Sequence, residues 1–413
     1  MLKRLFIIIL LLISSAAIAQ EGTISPYSFF GVGSLKFKGT VENRAMGGIG
    51  VYADSIHLNL QNPASAAGLR LVNYSIAGSH QYDRLATEQE SQNATTTTLD
   101  YIALGIPMGK FGANFGLEPL TSTGYKLQNE VGGSLTQFEG SGGLNKAFLA
   151  IGYQVTPNFS IGIDANYNFG NIENVATNTQ EDVELGSQEI NRSTLLGFNF
   201  NLGAFYKTMI SDNLEMMASV TYTPETDLIS ENERVVASIQ QLPSGAIRPL
   251  DIREIDIEDT DLTFPSQFTL GSGIGKPKKW FLGAEYTSQK TSNFTNRSFD
   301  LPNVVFEDAS QFSVGGFYIP NYNAFGNYFK RVVYRAGFRF EETGININNE
   351  SINEFGISFG MGLPVGGRFS NINLGFEFGR RGTKNAGLVQ ETFFNTFISL
   401  SLNDKWFEKR YYD

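Results

Sequence analysis

The sequence predicts an all-β protein, a transmembrane antiparallel β-barrel of about 14 strands with an N-terminal plug inside it. Three observations carry that prediction. Apolar and polar residues alternate with a period of two along most of the chain after Leu71. The segments linking those stretches are short and long by turns. The chain also opens with an export signal and afterwards contains no apolar run long enough for a spanning helix, which needs about 18 residues.

The first element is the signal. Lys3 and Arg4 precede the apolar run Leu5–Ile13, and Ala17-Ile18-Ala19 supplies a small-x-small cleavage site before Gln20. Residues 1–19 are therefore read as a signal peptide removed on export. Residues 20–70 do not alternate. They hold Ser25-Pro26, Gly47-Gly48-Ile49-Gly50 and Asn62-Pro63-Ala64, together with Phe29, Phe30, Leu35, Phe37, Met46, Val51 and Leu60. A disordered tail is the alternative, but such tails are poor in aromatic and aliphatic side chains. A plug of this length suits the interior of a barrel of this size.

The barrel itself is placed at residues 71–402, followed by a periplasmic tail at 403–413. In Ile161-Gly162-Ile163-Asp164-Ala165-Asn166-Tyr167-Asn168-Phe169 every odd position is apolar and every even one small or polar. Leu196–Tyr206, Tyr334–Glu341, Phe355–Leu363 and Ile372–Gly379 repeat the pattern. Strands are expected near 71–82, 97–107, 111–128, 143–155, 159–170, 194–208, 213–225, 262–274, 279–289, 310–319, 331–341, 353–363, 371–381 and 392–402. A soluble β-sandwich shows the same alternation, so the connections must distinguish the two. Short ones sit at Pro107–Lys110, Thr156–Asn158, Met209–Asp212, Gly275–Lys278 and Pro364–Ser370. Long ones sit at 83–96, 129–142, 171–193, 226–261, 290–309, 342–352 and 382–391. Outer-membrane barrels have short periplasmic turns and long outer loops. The Gly-rich stretch 120–138 either extends two strands or forms a separate flap.

Composition narrows the function. There are 44 Gly and 34 Phe among 413 residues, and charged residues make up 17%. An average soluble domain carries about 25% charged residues, and this aromatic-rich, charge-poor mixture is wrong for disorder. A net charge of −10 counts against nucleic acid, whose phosphates require clustered Lys and Arg. The absence of Cys excludes disulfides, thiolate metal sites and a Cys nucleophile. Two His, His57 and His80, cannot build a multi-His zinc site. Gly271-Ser272-Gly273-Ile274-Gly275 lies at a strand end without the Lys-Ser/Thr of a phosphate loop, and reads as close strand packing. The acidic run Asp251–Asp261 lacks calcium-loop spacing and reads as a solvated outer loop. His80 near a strand end is the one candidate for a Ser-His-Asp hydrolase. No reaction emerges, so the chain is expected to be no enzyme and to need no metal or cofactor.

By strand phase, Asp164, Glu285, Arg335, Arg339 and Glu377 point into the lumen. On the lipid face a midplane Arg or Lys would cost roughly 2–4 kcal/mol. These five are expected to form a polar network holding the plug.

The segment Glu42-Asn43-Arg44-Ala45-Met46-Gly47-Gly48-Ile49-Gly50-Val51, then Asp54, then Asn62-Pro63-Ala64, resembles the hatch of the FadL/TodX (OmpP1) family of outer-membrane proteins. That resemblance implies a 14-stranded barrel, with Arg44, Asp54, Asn62, Pro63 and Ala64 in the plug. Arg44 is expected to pair with Asp54, Glu285 or Glu377. Trp406-Phe407-x-Lys409-Arg410 and Tyr328-Phe329-Lys330-Arg331 are similar to segments of FadL-like members from Bacteroidetes-type bacteria. The resemblance implies outer-membrane location, contact with membrane lipid and lipopolysaccharide, and passage of a hydrophobic small molecule such as a fatty acid or hydrocarbon. Phe29, Phe30, Phe294, Phe299 and Phe306 are candidate contacts, or else anchors for loop folding. The alternative is a non-conducting FadL-like subunit of an outer-membrane secretion or barrel-assembly complex, with other outer-membrane proteins as partners. For that reading the periplasmic link Ile319–Arg331, with Tyr322, Phe325, Tyr328 and Phe329, is either a docking patch or an interfacial anchor.

Overall fold

The computed structural model describes residues 22–242, 246–294, 303–324, 326–365 and 370–405. Fourteen antiparallel staves form the wall. They are β1 (Val72–Ala86), β2 (Ser91–Met108), β3 (Phe111–Pro119, continued by Thr121–Val131), β4 (Ser134–Thr156), β5 (Phe159–Gln180), β6 (Leu185–Ser211) and β7 (Leu214–Thr223, continued by Thr226–Gln241). Next come β8 (Ile247–Ile255, Thr260–Phe264 and Gln267–Lys276), β9 (Trp280–Gln289), β10 (Ala309–Tyr318), β11 (Val333–Ile347), β12 (Glu350–Val365), β13 (Ser370–Arg381) and β14 (Gln390–Asp404). Each pairs with its neighbours in sequence. β14 returns to β1 through a register running from Val72↔Asp404 to Ala86↔Gln390, which closes the cylinder.

The two faces of the wall are inverted relative to a soluble protein. On β6, Phe198 is 61% exposed while Asn201 is 2% exposed. On β5, Ile161, Ile163 and Tyr167 are exposed while Asp164, Asn166 and Asn168 are buried. An apolar outer band around a polar interior is the surface of a lipid-embedded barrel. It arises because the side-chain period in a strand is two, so each alternating run must present one greasy face.

All 14 expected strand positions are occupied, but most of the expected long loops are strand. β1 and β2 continue to Ala86 and from Ser91, leaving a turn of four residues. β5 and β6 run to Gln180 and from Leu185, and most of 226–261 is paired strand. The stretch 120–138 extends β3 and β4 rather than folding as a flap. The reason lies in the solvent. Beyond the lipid band the outward face of a ladder meets water instead of hydrocarbon, so pairing persists while the apolar–polar alternation that marks it fades. β14 likewise reaches Asp404, two residues past the expected boundary. The signal peptide, Phe299, Phe325, and the aromatic and basic residues of 406–413 lie outside the described residues.

Residues 22–71 contact the inner side of the wall around its whole circumference. Val41, Leu58, Leu60 and Leu69 pack with Ala77, Tyr101, Phe148 and Phe397 of β1, β2, β4 and β14. Met46, Ile49 and Val51 pack with Met217, Phe281 and Phe317 of β7, β9 and β10. Val32 joins Leu144, Ile172, Leu195 and Leu262 of β4, β5, β6 and β8. Tyr27 meets Ile347 and Ile352 of β11 and β12. The hydrophobic core therefore lies between segment and wall. Each fully buried aliphatic there contributes about 1.5–3 kcal/mol.

Among the described residues a seam interrupts the wall between β2 and β3. The β2–β3 ladder ends at Ile102↔Leu117. Above it β2 pairs only with β1, and β3 pairs with β4 and with the two-residue strand Ser34–Leu35 from the inner segment.

Candidate functional site

The inner segment is shaped by local chemistry before it meets the wall. Thr40 and Asn43 form a reciprocal capping box that starts the single helical turn α1 (Val41–Arg44). Asn62 caps the 3-10 turn Pro63–Gly68 by accepting from the Ala64 N–H at 3.0 Å, with Pro63 at the position that needs no donor. The Asn62 amide also donates to the Ala204 carbonyl of β6 at 3.0 Å. Asn62, Pro63 and Ala64 thus act together as one buried turn against the wall.

Glycines set how closely that turn approaches. A Cβ on Gly112, Gly152 or Gly162 would strike the backbone of residues 63–67. On the opposite side, a Cβ on Gly315 or Gly337 would strike the backbone of Met46 and Gly47. Gly47 itself has φ +71°, a conformation L side chains rarely adopt. Backbone lies on backbone at both contacts.

Arg44 leaves α1 towards the wall, where its Nε lies 3.2 Å from Glu377 and a terminal nitrogen 3.9 Å from Asp100. The guanidinium also stands over the Phe397 ring at 4.8 Å. Glu377 accepts simultaneously from Arg339 at 2.8 Å and from Asn395 at 3.1 Å. Arg339 reaches Glu341 at 3.3 Å and also bonds Glu354, which in turn binds Arg381. A second branch runs from Arg335 to Asn373 at 3.1 Å and on to Glu42 at 2.8 Å. Buried charges persist where they are paired and hydrogen-bonded; the first branch meets both conditions, whereas in the second Arg335 and Glu42 are bridged by the neutral Asn373 amide.

Of the expected lumen residues, Arg335, Arg339 and Glu377 are joined in these branches. Glu285 instead accepts from the Gly50 N–H at 3.0 Å. Asp164 is buried, with one oxygen lacking a hydrogen-bond partner among the described residues. The expected pairing of Arg44 falls to Glu377. Asp54 does not take it, because Asp54 is held by His57, 2.7 Å away, and by the Ile56 and His57 N–H groups. Burial alone would raise the Asp54 carboxyl. The His57 charge and these hydrogen bonds outweigh it and hold the carboxyl at about 2. Burial opposes the charged His57 ring, but Asp54 overcomes this and raises it. His80 is exposed and faces the Thr97 hydroxyl at 2.8 Å.

Sequence reasoning missed Glu354, Arg381 and Asp100. Glu354 shares the strand phase of Gly356 and Ser358, so its inward direction was available; its partners, on other staves, were not. It also missed Lys146, buried on β4 and paired with Glu118 at 2.5 Å.

Arg44, Arg339, Glu354, Glu377 and Arg381 of this network also line a cavity of about 390 Å³. Lys36, Lys38, Asp83 and Asp100 border it, and so do Phe30, Phe37, Leu120, Phe264, Phe294 and Phe306. Burial, reinforced by neighbouring positive charges, lowers both Lys36 and Lys38 to about 8. The seam residues Ser34, Leu35, Thr96, Thr98 and Pro119 also line it, so the cavity reaches the split between β2 and β3.

The family model BamG matches residues 1–413. This chain belongs to the BamG family. Among solved structures, the BamG-family chain is similar to the Ralstonia pickettii toluene transporter TbuX, at 15% identity and TM-score 0.59, covering 89% of this chain and 99% of that one. It is similar to the Pseudomonas putida toluene transporter TodX at 14% identity and TM-score 0.59, covering 90% and 98%. A Pseudomonas aeruginosa FadL homologue matches at 13% identity and TM-score 0.59, covering 89% and 98%. These likenesses establish a FadL-like fold for this BamG-family barrel. No curated protein matches the chain.

Proposed function

We propose that this chain is an outer-membrane barrel that admits hydrophobic compounds from the outer side and releases them sideways into the bilayer, with residues 22–71 as its plug. The observation that carries this reading is the seam between β2 and β3, because the inner cavity borders it. A greasy solute must cross a polar lipopolysaccharide layer before it can reach hydrocarbon. Phe264, Phe294 and Phe306 offer it an apolar landing, and the plug's charge network closes the straight path through the lumen. Leu35 and Leu120 line the cavity beside the seam, and Leu99 and Leu117 on β2 and β3 are exposed. An opening there would lead sideways from the cavity to lipid rather than down the lumen. Toluene transporters share this fold, which supports the cargo class.

A specific observation favours a second reading. Membership of the BamG family over the whole chain agrees with a non-conducting subunit of a barrel-assembly complex. So does the way glycine contacts and ion pairs bind the plug to opposite sides of the wall.

Purification in a native detergent, with mass spectrometry of both lipids and proteins, separates the two. A co-purifying fatty acid or hydrocarbon, lost on Leu35→Asp or Leu120→Asp substitution, is the expected result for the conduit. Stoichiometric outer-membrane partners with no such ligand would establish the subunit instead.

A further inference from the structure

One arc of the short-turn rim stands apart in charge. The β8–β9 turn contributes Lys276, Lys278 and Lys279, and the β10–β11 link contributes Lys330 and Arg331. No acidic residue occurs in 274–282 or 318–336, although the chain as a whole carries −10. The two segments are physically joined. Ile319 N–H donates to the Lys279 carbonyl at 2.7 Å, and the Lys278 ammonium stands over the Tyr322 ring at 5.2 Å. Among the described residues none of the five cations makes an ion pair. The other described short turns are poorer, with Lys110 at 109–110, no charge at 157–158 and Asp212 at 212–213.

Depth in the membrane is set by an outward-facing row level with Lys276 and just above the other four cations. Lys276 pairs with Trp280, Trp280 with Tyr318, Tyr318 with Tyr334, and Tyr334 with Met361. Trp and Tyr collect at the membrane–water interface, so this row marks the headgroup boundary. The link is tied back to the wall there rather than projecting away. The Tyr334 hydroxyl donates to the Phe329 carbonyl at 3.1 Å, and the Tyr328 hydroxyl donates to the Pro364 carbonyl at 3.1 Å. Phe329 is left 70% exposed. Cations one step outside an aromatic row lie at the level of lipid phosphates.

We propose that this arc binds the headgroups of anionic phospholipids in the inner leaflet, with Lys278, Lys279, Lys330 and Arg331 holding phosphate and Trp280, Tyr318 and Phe329 flanking the upper acyl chains. The proposal rests on the outer-membrane placement above but not on which cargo or partner the barrel serves. It assigns Tyr322, Tyr328 and Phe329 to lipid anchoring rather than to protein docking.

The test uses the full-length protein with Trp406→Phe, which leaves Trp280 as the sole tryptophan. Quenching of its fluorescence is titrated with brominated phosphatidylglycerol and brominated phosphatidylcholine in mixed micelles. Each basic residue near an anionic surface strengthens attraction appreciably. Phosphatidylglycerol is therefore expected to bind about tenfold more tightly, with the preference shrinking as salt rises. The variant Lys278→Gln/Lys279→Gln/Lys330→Gln should abolish it while keeping the gel mobility of a folded barrel. If that variant does not fold, Lys330→Gln/Arg331→Gln tests the same phosphate contacts. Lys110→Gln, on a distant turn, should retain the preference. Equal binding of the two lipids by the parent, or an undiminished preference in the arc variants, would overturn the proposal. So would an acidic periplasmic protein that binds the parent but not the arc variants, in the absence of any lipid preference.

Discussion

Glu377 lies between two guanidiniums, one from the inner segment and one from β11. Removing it leaves Arg44 with only Asp100, 3.9 Å away, and takes one of three carboxylates from Arg339; breaking a buried pair from one side costs about 3–5 kcal/mol. Glu377→Ala should lower unfolding stability by that amount in urea titrations of vesicle-embedded protein. Glu377→Gln should cost less, because hydrogen-bond acceptance survives. The Asp54–His57 pair predicts a pH dependence of opposite sign at its two ends. His57 has a raised folded value, so its contribution is complete below its ordinary value of 6.5 and is lost as pH rises through the folded one. Asp54 has a depressed value, so its contribution is complete above 3.8 and is lost as pH falls through about 2. The difference in melting temperature between the parent and His57→Gln should peak between about pH 4 and 6.5. It should shrink in both directions; a flat difference would count against the pair.

At the scale of elements, the inner segment is held by surfaces with no side chain. Gly337 on β11 faces the backbone of Met46 and Gly47, and added volume there has no room to relax. Overpacking typically costs about 1–3 kcal/mol. Gly337→Val is expected to leave the barrel folded, since the strand tolerates valine, while lifting α1 off the wall. Trypsin should then cleave after Arg44 in the variant and not in the parent. A barrel that fails to form would mean that segment and wall fold as one unit. The outer ends of β4 to β8 show the converse situation. There the ladders continue past the apolar outer band, with Thr177, Asn191, Ala237 and Ile239 still buried on one face.

At the scale of the molecule, a closed wall with a polar interior would be an open pore without residues 22–71. Deleting them should turn a silent bilayer recording into one with large conductance steps, provided the barrel inserts. An unchanged silent recording from an inserted barrel would place the barrier in the outer ends of the staves. The barrel class was legible in the sequence because a strand's side-chain period is local: Ile161–Phe169 declares its two faces without reference to any neighbour. The inward direction of Arg335, Arg339 and Glu377 followed from the same phase. Partnership is not local. That Arg44 meets Glu377 rather than Asp54, that Glu354 holds Arg339 and Arg381, and that β2 and β3 part above Ile102 depend on register and curvature. Those quantities arise only when 14 staves close on one another around the segment inside them. The sequence by itself determined which face of each strand meets lipid, and the tertiary structure alone decided which charges meet across the lumen and where β2 and β3 part. Periodicity is a property of one strand, whereas closure is a property of them all.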